Sequence, residues 1–165
     1  MEYLITGSKG LIGGYLLDRL RAENRGVHGL SRGEEEDGQG QAGYDFHGDI
    51  CSPERMRTVL QQCQPDVIFH CAAQSYPRTA WAAPRETFVT NASGTLNLLQ
   101  AVTDLGLSPR VVICSSSAVY GSGNGEDPIR EDHALETADP YGLSKICQEE
   151  IGRYFSRVHD LDVVL

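Results

Sequence analysis

The sequence has little positive charge and no long apolar run. It contains 14 Lys and Arg residues against 23 Asp and Glu, a net charge of −9 over 165 residues. Nucleic acids and anionic membrane surfaces are bound by basic faces, so neither is expected as a partner, and an anionic ligand must be met by a local site. We expect no signal peptide, because residues 1–6 lead straight into the first apolar segment, and no segment reaches membrane-spanning length. We therefore expect a cytoplasmic protein.

Metal-binding and redox motifs are also missing. The five cysteines form no Cys-x-x-Cys pair and the five histidines form no His-Glu-x-x-His pattern, so we expect no catalytic metal. Cys71 and Cys114 stand at the ends of apolar segments, where cysteine behaves as a small hydrophobic residue. We expect all five thiols to be reduced.

Segments with the apolar pattern of a strand alternate along the chain with segments that have the apolar pattern of a helix. This alternation predicts one α/β domain over residues 1–165. Strands are predicted at residues 2–6, 26–31, 44–47, 66–71, 110–115 and 161–165. Helices are predicted after Gly10, at 53–62, at 84–104 and around Tyr141. This alternation predicts a doubly wound Rossmann fold with a parallel sheet in the order 3-2-1-4-5-6. Residues 33–43, rich in Glu, Gly and Gln, are expected to form a solvated, mobile loop.

Three glycines follow the first predicted strand and open the first predicted helix. Gly7 would allow a sharp turn, Gly10 would let the backbone approach a pyrophosphate, and Gly13 would let the helix pack closely on the strand. The helix N-terminus would then face the phosphates with its free amide groups. We expect this segment to bind a dinucleotide, with Ser8, Leu11 and Ile12 as further contacts. The alternative is a chance arrangement of glycines in a chain that has 18 of them.

The end of the second predicted strand favours one nicotinamide cofactor over the other. An NAD site usually places an Asp or Glu there for the ribose 2′-hydroxyl, whereas this chain has Ser31 and Arg32. A guanidinium can pair with a 2′-phosphate, so we expect NADP, with NAD as the alternative. Arg32 could instead be solvated, and the acidic residues 34–37 that follow could turn back toward the site.

Tyr141 and Lys145 stand four residues apart in a predicted helix, a spacing that places both side chains on one face. A free phenol has a pKa of about 10, and a cation fixed nearby favours the phenolate. Such a pair can pass a proton to or from a substrate hydroxyl.

These motifs, in this order, resemble the extended short-chain dehydrogenase/reductase family of NAD(P)-dependent nucleotide-sugar epimerases, dehydratases and reductases. The resemblance implies that Asp49, beside Ile50, binds adenine and that Asn91 supports the active site. It also implies that a small-residue stretch lines the cofactor and that a serine run delivers the catalytic hydroxyl. The small stretch is Cys71, Ala72 and Ala73. The serine run gives Ser116 as the catalytic residue, and Ser116 and Ser117 as substrate contacts.

In such a family member, Tyr141 would take the proton of the sugar 4-hydroxyl while Lys145 binds the nicotinamide ribose. Dehydratases usually carry an acid two places after the catalytic Ser/Thr, and here that residue is Ala118. We therefore expect an epimerase or ketosugar reductase. Gln74 and Ser75 are expected to contact the substrate. Together with Trp81, they resemble the branch of the family that handles GDP-mannose. A 4,6-dehydratase and a non-catalytic dinucleotide-binding module remain the alternatives.

Members of the family have a second domain that grips the nucleotide-sugar substrate. The resemblance implies that this C-terminal substrate domain is absent from the chain, which would be the N-terminal half of a longer enzyme. It also implies a homodimer that pairs through the helices near residues 86–104 and 141–158.

Overall fold

The computed structural model describes residues 1–23, 25–33, 37–40, 43–121 and 128–165, and within them seven strands form one sheet. The strands are β1 (Glu2–Thr6), β2 (Gly26–Ser31), β3 (Gly38–Gly40), β4 (Gly43–His47), β5 (Val67–His70), β6 (Arg110–Ile113) and β7 (Asp162–Val164). Their spatial order is β3-β4-β2-β1-β5-β6-β7, and all pairs except β3 with β4 are parallel. The six parallel strands confirm the predicted doubly wound order.

Strand β3 was not predicted, and the expectation of a mobile loop is wrong for its residues. It pairs antiparallel with β4, from Gly38 opposite Asp45 to Gly40 opposite Gly43. The strand is too short, and has too few apolar residues, to show an alternation that a sequence could reveal. Residues 34–36 and 41–42 of the expected loop lie outside the described residues.

The helices differ from prediction mainly between β5 and β6. They are α1 (Leu11–Ala22), α2 (Pro53–Cys63), α3 (Pro77–Ala82), α4 (Pro84–Phe88), α5 (Gly94–Asp104) and α6 (Pro140–His159). The long helix predicted at 84–104 is α4 and α5 joined by a π-helical turn, Val89–Ser93, and α3 precedes it unpredicted. A π-turn inside a helix often marks a functional position.

Side-chain caps fix where the helices after β4 and β6 begin. The Ser52 hydroxyl accepts from the Arg55 amide before Pro53 at the start of α2. Asp139 does the same for α6, accepting from the Gly142 amide at 2.9 Å, with Pro140 at the first helical position. This cap places Tyr141 in the first turn of α6.

The core lies on both faces of the sheet. Along β1, Leu4 points into the larger cluster, under α2, α5 and α6, whereas Ile5 points to the opposite face, under α1. Both are completely buried. In the described part of the chain, no helix combines the length and the apolar character that crossing a membrane requires.

Candidate active site at the carboxyl ends of the strands

The turn after β1 is tight enough to require glycine. Gly7 has a φ of +74°, and a Cβ there would lie 2.8 Å from the backbone of Ala72. A Cβ on Gly13 would lie 2.3 Å from the carbonyl oxygen of Gly7, which also accepts from the Gly10 amide at 2.9 Å. The turn, the start of α1 and the segment after β5 are therefore pressed together backbone to backbone.

The start of α1 offers backbone donors. Gly10 is the N-cap and supplies no side-chain acceptor, so no side chain of the cap occupies the first amide groups. Leu11 and Ile12 are 79% and 60% exposed. A helix N-terminus of this kind favours an anionic group such as a pyrophosphate.

A cleft of about 490 Å³ runs across this turn and the carboxyl ends of β1, β2, β4 and β5. Most of the predicted cofactor residues line it: Gly7, Gly10, Leu11, Ile12, Gly13, Ser31, Arg32, Asp49, Ile50, Cys71, Ala72 and Ala73. Ser75, predicted to contact substrate, lines it too, and four residues that the sequence reading did not single out complete the lining: Lys9, Leu30, Gly48 and Thr90. Each adjoins a predicted residue, so widening each motif by one position would have found all four.

Seven predicted site residues are not in this lining: the four of the serine run and α6, which are Ser116, Ser117, Tyr141 and Lys145, and three that lie behind the cleft, which are Ser8, Gln74 and Asn91. Ser8 is 6% exposed and faces the sheet, since a Cβ on Gly29 would lie 2.8 Å from its hydroxyl. Gln74 donates to Thr87 at 3.1 Å and exchanges hydrogen bonds with Tyr76 in its own loop. Asn91, the third, is completely buried.

Asn91 joins the segment after β5 to α6. Its Oδ1 accepts from the backbone N–H of Gln74 at 2.7 Å. Its Nδ2 donates to the backbone carbonyl of Gln74 at 3.0 Å and to the Ser144 hydroxyl at 2.9 Å. The π-turn that carries Asn91 therefore holds the first turns of α6 beside the cleft.

Arg32 is exposed at the cleft, and one of its acidic neighbours is bound elsewhere. The Asp37 carboxylate pairs with Arg55 and accepts from the His47 amide at 2.9 Å. The Arg55 hydrogen bond holds the pKa of Asp37 below its usual range. Glu34, Glu35 and Glu36 lie outside the described residues.

At the other end of the cleft, Asp49 makes a turn before α2. Its Oδ1 accepts from the Cys51 amide at 2.8 Å, and the side chain remains exposed. Ile50 is 6% exposed and packs against Gly94, where a Cβ would lie 2.6 Å from the isoleucine.

The serine run after β6 packs against the start of α6. Ser116 caps a 3-10 turn, Ser117–Tyr120, and its hydroxyl accepts from the Ala118 amide at 3.2 Å. A Cβ on Gly142 would lie 2.6 Å from the Ala118 carbonyl, so this turn and the Tyr141 turn touch through their backbones. Ser116 is half-buried and Ser117 is exposed.

Lys145, one turn after Tyr141, is almost completely buried. It is 3% exposed, and Nζ donates to the Cys114 carbonyl and to Oε1 of Gln148, both at 2.7 Å. Burial lowers the pKa of Lys145 to about 8. At neutral pH the side chain is therefore an ammonium inside the protein, placed one helical turn from a phenol.

Cys71 and Cys114 meet beside Lys145, with their sulfur atoms 3.5 Å apart. All five cysteines are free thiols, as expected. The hydrogen bond from Cys71, and then the nearby lysine, lower the pKa of Cys114 even though burial acts against them. From the sequence, Cys71 and Cys114 were predicted only as small hydrophobic residues, and the contact between their sulfur atoms was not predicted.

Glu149 adds a buried carboxylate to the same face of α6. It accepts from the Ser115 hydroxyl and, at 2.7 Å, from Arg153. Within the described residues, no group of three or more His, Cys, Asp or Glu side chains could hold a metal ion.

Comparison with known proteins supplies the family. A profile of the NAD dependent epimerase/dehydratase family matches residues 3–165. A UDP-glucose 4-epimerase of Mycolicibacterium smegmatis is 32% identical over 169 residues, which are 98% of this chain and 53% of the epimerase. The GDP-mannose 4,6-dehydratase sdnI of Sordaria araneosa is 32% identical over 163 residues, covering 94% of this chain and 30% of that protein.

A solved structure of a third relative has the same fold. The dTDP-glucose 4,6-dehydratase DesIV from Streptomyces venezuelae, with NAD and TYD bound, superposes with a TM-score of 0.88 at 30% identity, covering 99% of this chain and 54% of DesIV. The chain thus spans about half the length, or less, of these relatives. The resemblance drawn from the motifs is confirmed: this chain belongs to the NAD-dependent epimerase/dehydratase family, the extended short-chain dehydrogenases/reductases of nucleotide-sugar metabolism.

Proposed function

We propose that the protein is an NAD(P)-dependent nucleotide-sugar epimerase or ketosugar reductase that acts by hydride transfer at C4 of the sugar. The observation that carries this proposal is that Lys145 is a buried ammonium one helical turn after the buried Tyr141, at the start of α6. A protein that only binds a dinucleotide needs the glycine turn but has no use for a buried lysine one helical turn after a tyrosine, with a serine in the turn packed on the same helix.

The residues of the site divide the chemistry among them. Tyr141 takes the proton of the sugar 4-hydroxyl, and Ser116, in the turn packed on α6, donates a hydrogen bond to the same oxygen. The fixed positive charge of Lys145 favours the phenolate form of a neighbouring phenol. The cleft lined by Gly7, Gly10 and Ala72 would hold the dinucleotide, whose nicotinamide would supply the hydride acceptor and donor.

A 4,6-dehydratase is the second candidate, because two of the relatives named above have that activity. Removal of water from C5 and C6 needs an acid and a base there. In this chain the residue two places after Ser116 is Ala118, whose methyl group supplies neither. This residue favours the epimerase or reductase over the dehydratase.

We propose NADP as the cofactor, with NAD as the alternative. Arg32 is exposed at the cleft where the ribose 2′-position is expected, and the nearby Asp37 is held by Arg55. DesIV was solved with NAD, so the preference rests on Arg32.

We also propose a homodimer. The outer faces of α5 and α6 expose Leu96, Leu143, Tyr154 and Val158 by 43% to 57%. Light scattering should give twice the chain mass, and Val158→Glu should reduce it to one. A monomer at every concentration would contradict this arrangement.

The enzymatic proposal is tested by product analysis. The chain is incubated with NAD or NADP and with UDP-glucose, GDP-mannose, CDP-glucose or dTDP-glucose in separate reactions, and proton NMR follows the sugar. Inversion at C4 indicates an epimerase, and loss of water a dehydratase. A reductase is tested with a 4-ketosugar nucleotide and NADPH. Because this chain spans about half the length of its relatives, we expect it to bind cofactor better than it converts sugar, and the same reactions are run with a longer chain that includes a substrate domain. Cofactor binding without any sugar conversion by that longer chain would favour the binding module.

A further inference from the structure

Lys145 is held from inside the protein by a neutral amide. Gln148 is 1% exposed and lies on α6 three residues after the lysine, whose Nζ donates to Oε1 of the glutamine at 2.7 Å. A free lysine side chain has much rotamer freedom, which is lost when its end is fixed. The two acceptors that fix it, the Cys114 carbonyl and the Gln148 amide, therefore determine where the positive charge lies, and Gln148 is the one that acts through a side chain.

The partners of Gln148 allow its amide only one orientation. An ammonium only donates, so the amide oxygen must face Lys145 and the NH2 group must face Thr95, whose hydroxyl lies 2.8 Å away. Thr95 donates its own proton to the Asn91 carbonyl at 2.7 Å. If the Gln148 amide were flipped, its NH2 group would face the Lys145 ammonium, and both groups only donate.

Thr95 is held in turn by His70. Because the Thr95 proton is already used, its hydroxyl oxygen accepts from Nε2 of His70 at 2.9 Å. Burial, and then the charge of Lys145, lower the pKa of His70 to about 3, so the ring is neutral. Its Nδ1 then accepts from Thr6 at 2.7 Å. Lys145, Gln148, Thr95, His70 and Thr6 thus form one polar network. In each hydrogen bond of this network, the donor and the acceptor are fixed.

Titratable groups face Lys145 from three elements. Cys71 and His70 belong to the end of β5, Cys114 follows β6, and Glu149 lies on α6. Negative charge on the thiols or on Glu149 raises the pKa of Lys145, and burial acts against it more strongly. Gln148 accepts from the ammonium without adding a charge.

We propose that Gln148 is a positioning residue: its amide, locked by Thr95 and His70, fixes the Lys145 ammonium beside Tyr141 and leaves its third N–H for the bound cofactor. This inference rests on the proposed function for the role of Lys145. It concerns a residue that the Tyr141 and Lys145 motif does not contain.

The sequence makes a direct test simple, because Lys9 and Lys145 are its two lysines. Protein labelled with ¹³C at lysine Cε gives two signals, and Lys9→Arg assigns them. We expect Lys145 to titrate with a midpoint of about 8. Gln148→Met removes the acceptor at similar volume, and the loss of a hydrogen bond to a charged group should lower the midpoint by about one to two pH units.

Two variants complete the design. Gln148→Glu supplies a charged acceptor and should raise the midpoint, which keeps the test available if the methionine variant does not fold. Gln100→Met, the same substitution at an exposed glutamine on α5, should leave it unchanged. Midpoints that stay at the parent value in both Gln148 variants would overturn the inference.

A second readout separates positioning from mere stability. NADH affinity, measured by cofactor fluorescence between pH 6.5 and 9, should fall at a lower pH in Gln148→Met than in the parent. A parallel loss at all pH values would mean that Gln148 only supports the fold. The lysine titration needs no cofactor, so it decides the role of Gln148 even if the parent does not bind NADH and the proposed function fails.

Discussion

The two ends of the site are built in different ways. The glycine turn brings together residues close in sequence, and its essential contacts are between backbone atoms of Gly7, Gly10 and Gly13. The polar network brings together side chains far apart in sequence: Thr6 and His70 are separated by 64 positions, and Gln148 and Thr95 by 53. Local chain conformation shapes the first end, which also rests on the Leu30 carbonyl and the Ala72 backbone, whereas the second exists only after the sheet and α6 have packed.

The two ends also differ in their contact with water. Leu11 and Ile12 at the turn are largely exposed, but Thr95, His70 and Lys145 are at most 3% exposed. A phosphate at the turn would therefore be bound in an open, solvated setting, while charge at the buried end acts in a low-dielectric setting where electrostatic interactions are stronger.

The largest effect should come from the chemistry at the buried end. Tyr141→Phe removes the phenolic oxygen and keeps the ring, so sugar turnover should fall by about 10² to 10⁴-fold. NADH affinity and thermal stability should stay near the parent values. Steady-state assays with the nucleotide-sugar that proves active, together with a melting curve, check this. Retained turnover would remove Tyr141 from the proposed site.

A substitution at the open end tests the backbone packing. Gly13→Ala would place a Cβ 2.3 Å from the Gly7 carbonyl oxygen, so overpacking should cost about 1–3 kcal/mol and abolish cofactor binding. Gly14→Ala is the matched control, since its Cβ meets the Ser8 carbonyl oxygen at 3.4 Å, an ordinary contact. It should bind cofactor normally and gain up to about 1 kcal/mol from helix propensity. Urea unfolding and NADH titration of both variants measure the difference, and equal behaviour would contradict the tight turn.

The buried end should respond to acid through His70. Its folded pKa of about 3 lies below the ordinary 6.5, so the unfolded chain takes up the proton first and stability falls as the pH drops below 6.5. The loss should reach at most about 1.4 kcal/mol per pH unit. Urea unfolding of the parent and of His70→Gln from pH 7.5 to 4.5 isolates this contribution, because the variant lacks it. Parallel curves would show that His70 is not held neutral.

The smallest effect is expected at exposed Arg32. Exposed charge pairs contribute about 0.2–1 kcal/mol, so Arg32→Ala should weaken NADPH binding by about two- to fivefold and leave NADH binding unchanged. Arg57→Ala, at an exposed arginine on α2, is the control. Equal weakening of both cofactors by Arg32→Ala would point away from a 2′-phosphate contact.

The same contrast explains how much the sequence could predict. Gly7 and Gly13 are recognisable because a turn and a helix start are local features, and the six parallel strands follow from apolar periodicity. Strand β3 has no such periodicity. Gln148, Thr95 and the Cys71–Cys114 contact were missed because their partners become neighbours only when β5, β6, α5 and α6 pack together.

The most direct test follows the hydride itself. The protein is incubated with NADP and with UDP-glucose carrying deuterium at C4, and parallel reactions use the other C4-labelled nucleotide-sugars. Mass spectrometry then locates the deuterium. With the parent protein we expect the deuterium either back at C4 of the inverted sugar, as in an epimerase, or in the nicotinamide, as in a reductase working in reverse, and neither product with Tyr141→Phe. Loss of the C4 deuterium to water during conversion would contradict hydride transfer from sugar C4.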